Sequence, residues 1–147
     1  MKKLVFGLGI GVLLFSASCN KETGGLPANS WSVEGKEYSA NLVTVSAASN
    51  YISASDGNGS SLDLAFEMLP SSSTNFDVNE EAYTRNDVAV RTVLRGNIIY
   101  RSVGKTGAFV SVNVNSGKYT VIMNNVKLVN ADNESDTVKI SSNIIEQ

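Results

Sequence analysis

At 147 residues, 42% of them apolar and 18% charged, the chain suits one globular domain with a proper core and argues against a disordered body. The formal charge is −2; without Lys2 and Lys3 ten basic face fourteen acidic side chains, about −4, and the absence of a basic run argues against a nucleic-acid partner. Histidine is absent and cysteine occurs once, which removes Ser–His–Asp and Cys–His catalysis, the commonest zinc ligand, an intrachain disulfide and a thiolate metal cluster.

The chain starts with Lys2 and Lys3, an apolar run from Leu4 to Phe15, and the small residues Ser16, Ala17 and Ser18 before Cys19. This is the layout of a secretory signal peptide: the run falls short of the roughly 20 residues that cross a hydrocarbon core. Ser16-Ala17-Ser18-Cys19 resembles a bacterial lipobox, with Ser16 where leucine is more familiar; relaxed forms ending S-A-S-C are similar to those of Bacteroidota lipoproteins. That resemblance implies a diacylglyceryl thioether on Cys19 and an acyl chain, such as palmitate, on its amino group. Ordinary cleavage at the same small residues is the alternative and leaves a free thiol, without explaining why the sole cysteine sits at the cut. The expected division is a signal peptide over 1–18, a lipidated cysteine and flexible tether over 19–29, and one all-β domain over 30–147. Localisation follows as the outer membrane, lipid-anchored. Asn20-Lys21-Glu22 resembles a surface-export signal with one acid in place of a cluster, so periplasmic and cell-surface faces both stay open.

From Trp31 the period is two. Leu42, Thr44 and Ser46 alternate with Val43, Val45 and Ala47; Leu62, Leu64 and Phe66 alternate with Asp63, Ala65 and Glu67; Val110, Val112 and Val114 alternate with Ser111 and Asn113. Such runs predict half-buried antiparallel strands. Glu34-Gly35 predicts a two-residue hairpin turn whose register sets Val33 opposite Lys36, Ser32 opposite Glu37 and Trp31 opposite Tyr38. Asp56-Gly57-Asn58-Gly59 turns Tyr51–Ser55 into Ser61–Met68. No window of a dozen residues shows a helical stripe, and at most one turn of helix fits near Glu80–Tyr83. Gly96-Asn97 joins Val88–Leu94 to Ile98–Val103, a pairing that mixes charged and apolar residues on both faces. Asn115-Ser116-Gly117 predicts a three-residue loop with Gly117 left-handed, between Ala108–Val114 and Tyr119–Asn124. Asn130 to Asp136 is a polar turn before a last strand over Thr137–Ile144. About eight to ten short strands spaced in this way predict an all-β fold, an antiparallel β-sandwich, with a small lipocalin-like barrel as the alternative.

The opening W-S-V-E-G-K-E-Y-S-A, Trp31 to Ala40, resembles the W-x-x-x-G-K-x-Y-x-A hairpin that begins small all-β Bacteroidota-type lipoproteins of uncharacterised function. The likeness extends over most of the chain after Trp31. Its motif is packing and turn chemistry, and it implies no catalytic residues.

Candidate chemistry is sparse. Asp63 and Glu67 on one strand face stand about 13 Å apart along the backbone, too far for a glycosidase pair at roughly 5–9.5 Å. Asp56-Gly57-Asn58-Gly59-Ser60 begins like a calcium loop but lacks its third acidic ligand and distal glutamate, and a hairpin turn explains every residue. Asp132, Glu134 and Asp136 read as a solubilising turn. No G-x-S-x-G elbow or S-x-x-K motif occurs. Trp31, Phe66, Phe109 and Tyr119 fall in strand patterns and are expected in the core. Tyr51, Tyr83 and Tyr100, nearer turns or mixed strands, are candidates for exposure and sugar contact. Arg85, Arg91, Arg95 and Arg101 concentrate basic charge; Arg91 and Arg95 share a strand face and are candidates for an anionic partner.

These features predict a lipid-anchored, non-enzymatic envelope module, without metal or cofactor, that meets the membrane through acylated Cys19 and binds an envelope glycan or another surface protein. The alternative is a structural envelope lipoprotein with no small ligand.

Overall fold

The computed structural model describes residues 25–147; the signal peptide, the lipobox and Cys19 lie outside the described residues. Eleven strands follow in chain order: β1 (Ser30–Val33), β2 (Lys36–Ser39), β3 (Leu42–Ser46), β4 (Tyr51–Ser55), β5 (Ser61–Phe66), β6 (Thr74–Asn79), β7 (Asp87–Leu94), β8 (Ile98–Arg101), β9 (Phe109–Asn115), β10 (Lys118–Asn130) and β11 (Thr137–Ile145). The all-β class holds, with one strand above the expected range and no helix among the described residues.

Two four-stranded wings, β3-β4-β5-β7 and β2-β1-β11-β10, are joined by β6, β9 and β8. The ring β7-β6-β9-β10-β8 closes on itself as a five-stranded barrel core, and the remaining strands extend from β7 and β10. The fold thus combines the features of a sandwich and of a small barrel. Inward-facing residues of both wings, among them Trp31, Leu62, Leu64, Phe76, Val90, Val112, Leu128 and Ile140, are at most 1% exposed and form one core.

Closure depends on sharing edges. One edge of β7 pairs with β5 over Val88–Val93, while the other is divided between β6 at Asp87–Ala89 and β8 at Arg91–Leu94. Ser102 bridges the division. Its backbone N–H donates to Val90 O at 2.8 Å, and its Oγ accepts from Val90 N at 3.0 Å and donates to Asn79 O at 2.5 Å. At 1% exposure these bonds have no ready water substitute. Ser102→Ala is expected to cost about 1–3 kcal/mol, seen as a lower urea midpoint with an unchanged slope.

The β1–β2 hairpin adopts the register expected of Glu34-Gly35. Both turn residues have positive φ, 50° and 78°, which matches the twist of the flanking strands. Trp31 and Tyr38 stack at 5.3 Å with planes 12° apart, an aromatic pair worth about 0.5–1.5 kcal/mol beyond area burial. Asp56 accepts from the N–H of Asn58 (2.7 Å) and of Ser60 (2.9 Å), closing the β4–β5 turn. Burial pushes its pKa up, but these bonds and the Ser60 hydroxyl together outweigh that and hold it below the usual value.

Several expectations are corrected. The β9–β10 turn has two residues, not three: Asn115 pairs with Lys118, and Ser116 and Gly117 take φ of 52° and 78°. Strand β10 runs past Asn124 to Asn130 through a bulge in which Asn124 and Asn125 together face Ser141. Asn125 takes a φ of 51°, and its N–H donates to Ser141 Oγ at 2.9 Å. A bulge bends a strand, and beyond it Val129 and Asn130 reach β8. The β6–β7 pair is parallel: the connection over 80–86 returns the chain so that β7 starts beside Asp77 and runs along the end of β6 in the same direction. The helical turn at Glu80–Tyr83 is absent: Asn79 Oδ1 accepts from Glu80 N at 2.9 Å, and buried Asp87 accepts from Thr84 N and Oγ1 at 3.1 and 2.9 Å. Such local side-chain bonds compete with a helix.

The first segment is also tied down. Asn143 Nδ2 donates to Leu26 O (2.9 Å), Ser30 Oγ to Pro27 O (2.7 Å), and Ile145 N to Asn29 Oδ1 (2.7 Å). Residues 26–29, expected in the tether, are fastened to β11 and β1.

Candidate functional site

The outer face shared by β4, β5, β7 and β8 carries the candidate site. Alternation turns Ile52, Leu62, Leu64, Val88 and Val90 into the core, so their neighbours point outward. Antiparallel register then lines those neighbours up across strands. Tyr51 faces Ala65, which faces Ala89; one step along, Ser53 faces Asp63, Asp63 faces Arg91, and Arg91 faces Arg101. The first row is an aromatic ring beside two methyl groups. The second is a polar line with a carboxylate and two guanidiniums.

Between them lies an open depression of about 400 Å³, lined by residues of both rows together with Ser49 and Glu80. The alanines make it. A long side chain at 65 or 89 would fill the floor, whereas methyl groups leave the sheet surface bare beside Tyr51. Glu80 overhangs from the β6–β7 connection and accepts from Tyr83 OH at 2.8 Å. That bond, with minor help from desolvation and nearby acids, raises the Tyr83 pKa above its usual 10.0.

The charges differ in their commitments. Asp63 accepts from Ser53 Oγ at 2.6 Å, Ser61 Oγ at 3.3 Å and Arg91 Nη2 at 2.9 Å. Arg101 makes no ion pair with any described residue, although it stands directly opposite Arg91. Like charges set opposite each other across strands repel; Asp63 relieves that for Arg91 alone.

The candidates read from sequence divide around this depression. Tyr51 and Arg91 line it, and Tyr83 reaches it through Glu80. Arg95 does not share the strand face of Arg91: it lies in the three-residue turn Arg95-Gly96-Asn97 between β7 and β8. Arg85 borders a separate groove with Met68, Pro70 and Phe76. Tyr100, expected to be exposed, is 8% exposed and faces inward beside Thr92, its OH donating to Asp136 Oδ2 at 2.9 Å. Phe109, expected in the core, is 58% exposed, because it shares the outer face of β9 with Ser111 and Asn113. Glu67 falls just past the end of β5, so it continues no carboxylate face with Asp63. Asp136 also accepts from Asn130 Nδ2 at 2.8 Å, so the Asp132–Asp136 turn uses this carboxylate to fasten β10 and β8. No group of three acidic or cysteine side chains among the described residues is placed to hold a metal ion.

Burial, and then the bond to Asp136 and its charge, push the Tyr100 pKa above 10.0. The folded state therefore favours the neutral phenol. Its contribution to stability is complete below about pH 10 and lost as pH rises through the raised value. Ultraviolet titration of the phenolate band should show a late step absent from Tyr100→Phe, and the variant should lose less stability than the parent across that step.

Sequence reading places Arg101 only within a basic stretch and gives Ala65, Ala89 and Glu80 no part in a site. The Gly96-Asn97 turn was the available signal for Arg101, since pairing Leu94 with Ile98 sets Arg101 opposite Arg91. Alanines carry no chemical signal until a register aligns them. In comparisons with protein-family models, curated proteins and solved structures, nothing matches this chain.

Proposed function

We propose that the protein is a lipid-anchored, non-enzymatic module of the bacterial outer membrane that binds an envelope glycan in the Tyr51–Arg101 depression. One observation carries the reading: an aromatic ring and a bare alanine floor lie side by side with a row of hydrogen-bonding and charged groups. The aromatic face suits the apolar side of a sugar ring, and the polar row suits its hydroxyl groups. A non-enzymatic role is supported by the commitments of Asp63, which is held by two serines and Arg91 and so does not stand free as acid or base. Anchoring is supported by the sole cysteine following Ser16-Ala17-Ser18 and an apolar run.

The test is a glycan array probed with the full chain in detergent, beside Tyr51→Ala. Retention of a sugar by the parent and its loss in the variant is the expected result. Retention of no sugar would leave the structural envelope role as the better reading.

A further inference from the structure

Resting on the glycan reading, we infer that the sugar is acidic: a pyranose ring bearing a carboxylate, of the hexuronate class, with the ring on Ala65 and Ala89 against Tyr51 and the carboxylate on Arg101. The argument starts from the register. Tyr51, Ala65 and Ala89 occupy three neighbouring strands, so the floor spans roughly 10 Å across strands and roughly 7 Å to the next outward row. A sugar ring laid on that floor brings one edge to Asp63, Arg91 and Arg101.

Those three groups are unequal partners. The Asp63 oxygens already accept from two serines and from both Nε and Nη2 of Arg91. Arg91 is thereby turned toward Asp63. Arg101 is exposed, paired with no described carboxylate and set across from a like charge. It is the group whose electrostatics improve most when an anion arrives, and its planar fork matches a carboxylate. A bare anion would leave the alanine floor and the Tyr51 ring unused. A ring with a carboxylate uses both rows. Glu80, which lines the depression and accepts from Tyr83 OH, offers a further acceptor for a ring hydroxyl and disfavours a second anionic group beside it.

Isothermal titration of the full chain in detergent tests this with three probes: a galacturonate trimer, the neutral galactose trimer, and inorganic phosphate. The uronate should bind about ten-fold tighter than its neutral counterpart, the scale of one charge-assisted hydrogen bond. Arg101→Ala should erase that preference, Tyr51→Ala should weaken both sugars, and Lys118→Ala, at the end of β10 opposite to the one that pairs with β8, should change nothing. Equal binding of the two sugars with no effect of Arg101→Ala would overturn the acidic class and leave the glycan reading standing. Binding of phosphate as tight as that of the uronate would overturn it as well, since the ring would then contribute nothing. Failure of both sugars to bind would end both inferences.

Discussion

Phe76→Ala is expected to cost about 3–5 kcal/mol of folding stability, the largest loss from any single side chain of β6. Phe76 is 1% exposed and meets Phe66 edge to face, with ring centroids 4.9 Å apart. It stands on the strand that links the β7 wing to β9, and thereby on the closure of the barrel. Alanine would leave a cavity where the two wings meet, and a close-packed interior relaxes only in part around such a gap. Against a domain stability of about 5–15 kcal/mol, that is a large fraction. Urea denaturation followed by near-ultraviolet circular dichroism gives the measurement. Phe76→Leu, which keeps most of the volume, should lose less than about 2 kcal/mol. A loss below 1 kcal/mol for the alanine variant would contradict the placement of β6 in the core.

On the proposed anchoring, Cys19→Ala should move the protein from the membrane pellet to the soluble fraction. The contrast is steep for a physical reason. Each buried methylene contributes about 0.8 kcal/mol; a single acyl chain binds only marginally, while two or three hold firmly. Alanine has no thiol to acylate, so every chain is lost together. No helix among the described residues is long and apolar enough to cross a membrane. The measurement is fractionation of intact cells, with mass spectrometry of the parent amino terminus. A variant that stayed in the pellet, or a parent with an unmodified thiol, would refute the anchor.

How much of this could be read from sequence depended on whether a signal was local. Glu34-Gly35 supplies its own turn geometry, so the Trp31–Tyr38 register followed from eight consecutive residues. The Asp56–Gly59 turn and the alternation of β5 were equally self-contained. Strand β10 was legible only as far as Asn124, because its bulge shifts the inward set from Val121 and Met123 to Val126 and Leu128, and a period of two cannot be followed through that slip. Strand β6 shows just two inward residues, Phe76 and Val78, too few for a pattern; its parallel pairing is a property of closure. The depression illustrates the same limit. Tyr51 and Arg91 draw notice by residue type, but Ala65 and Ala89 matter for what they lack. Arg101 matters for an ion pair it does not make. Such features exist only once three strands are in register. Tyr100 departs from expectation because nearness to a turn is a poor guide to facing, and Phe109 because lying in a strand does not say which face a ring takes; the alternation with Val110 and Val112 turns it outward.

The fastening of Leu26 by Asn143 has a geometric consequence for the proposed anchor. Only the stretch between Cys19 and Leu26 is left to separate body from bilayer, a contour of at most about 25 Å. A polymer threading between the headgroups and the domain would have little clearance. On that anchor the body rides close above the lipid surface.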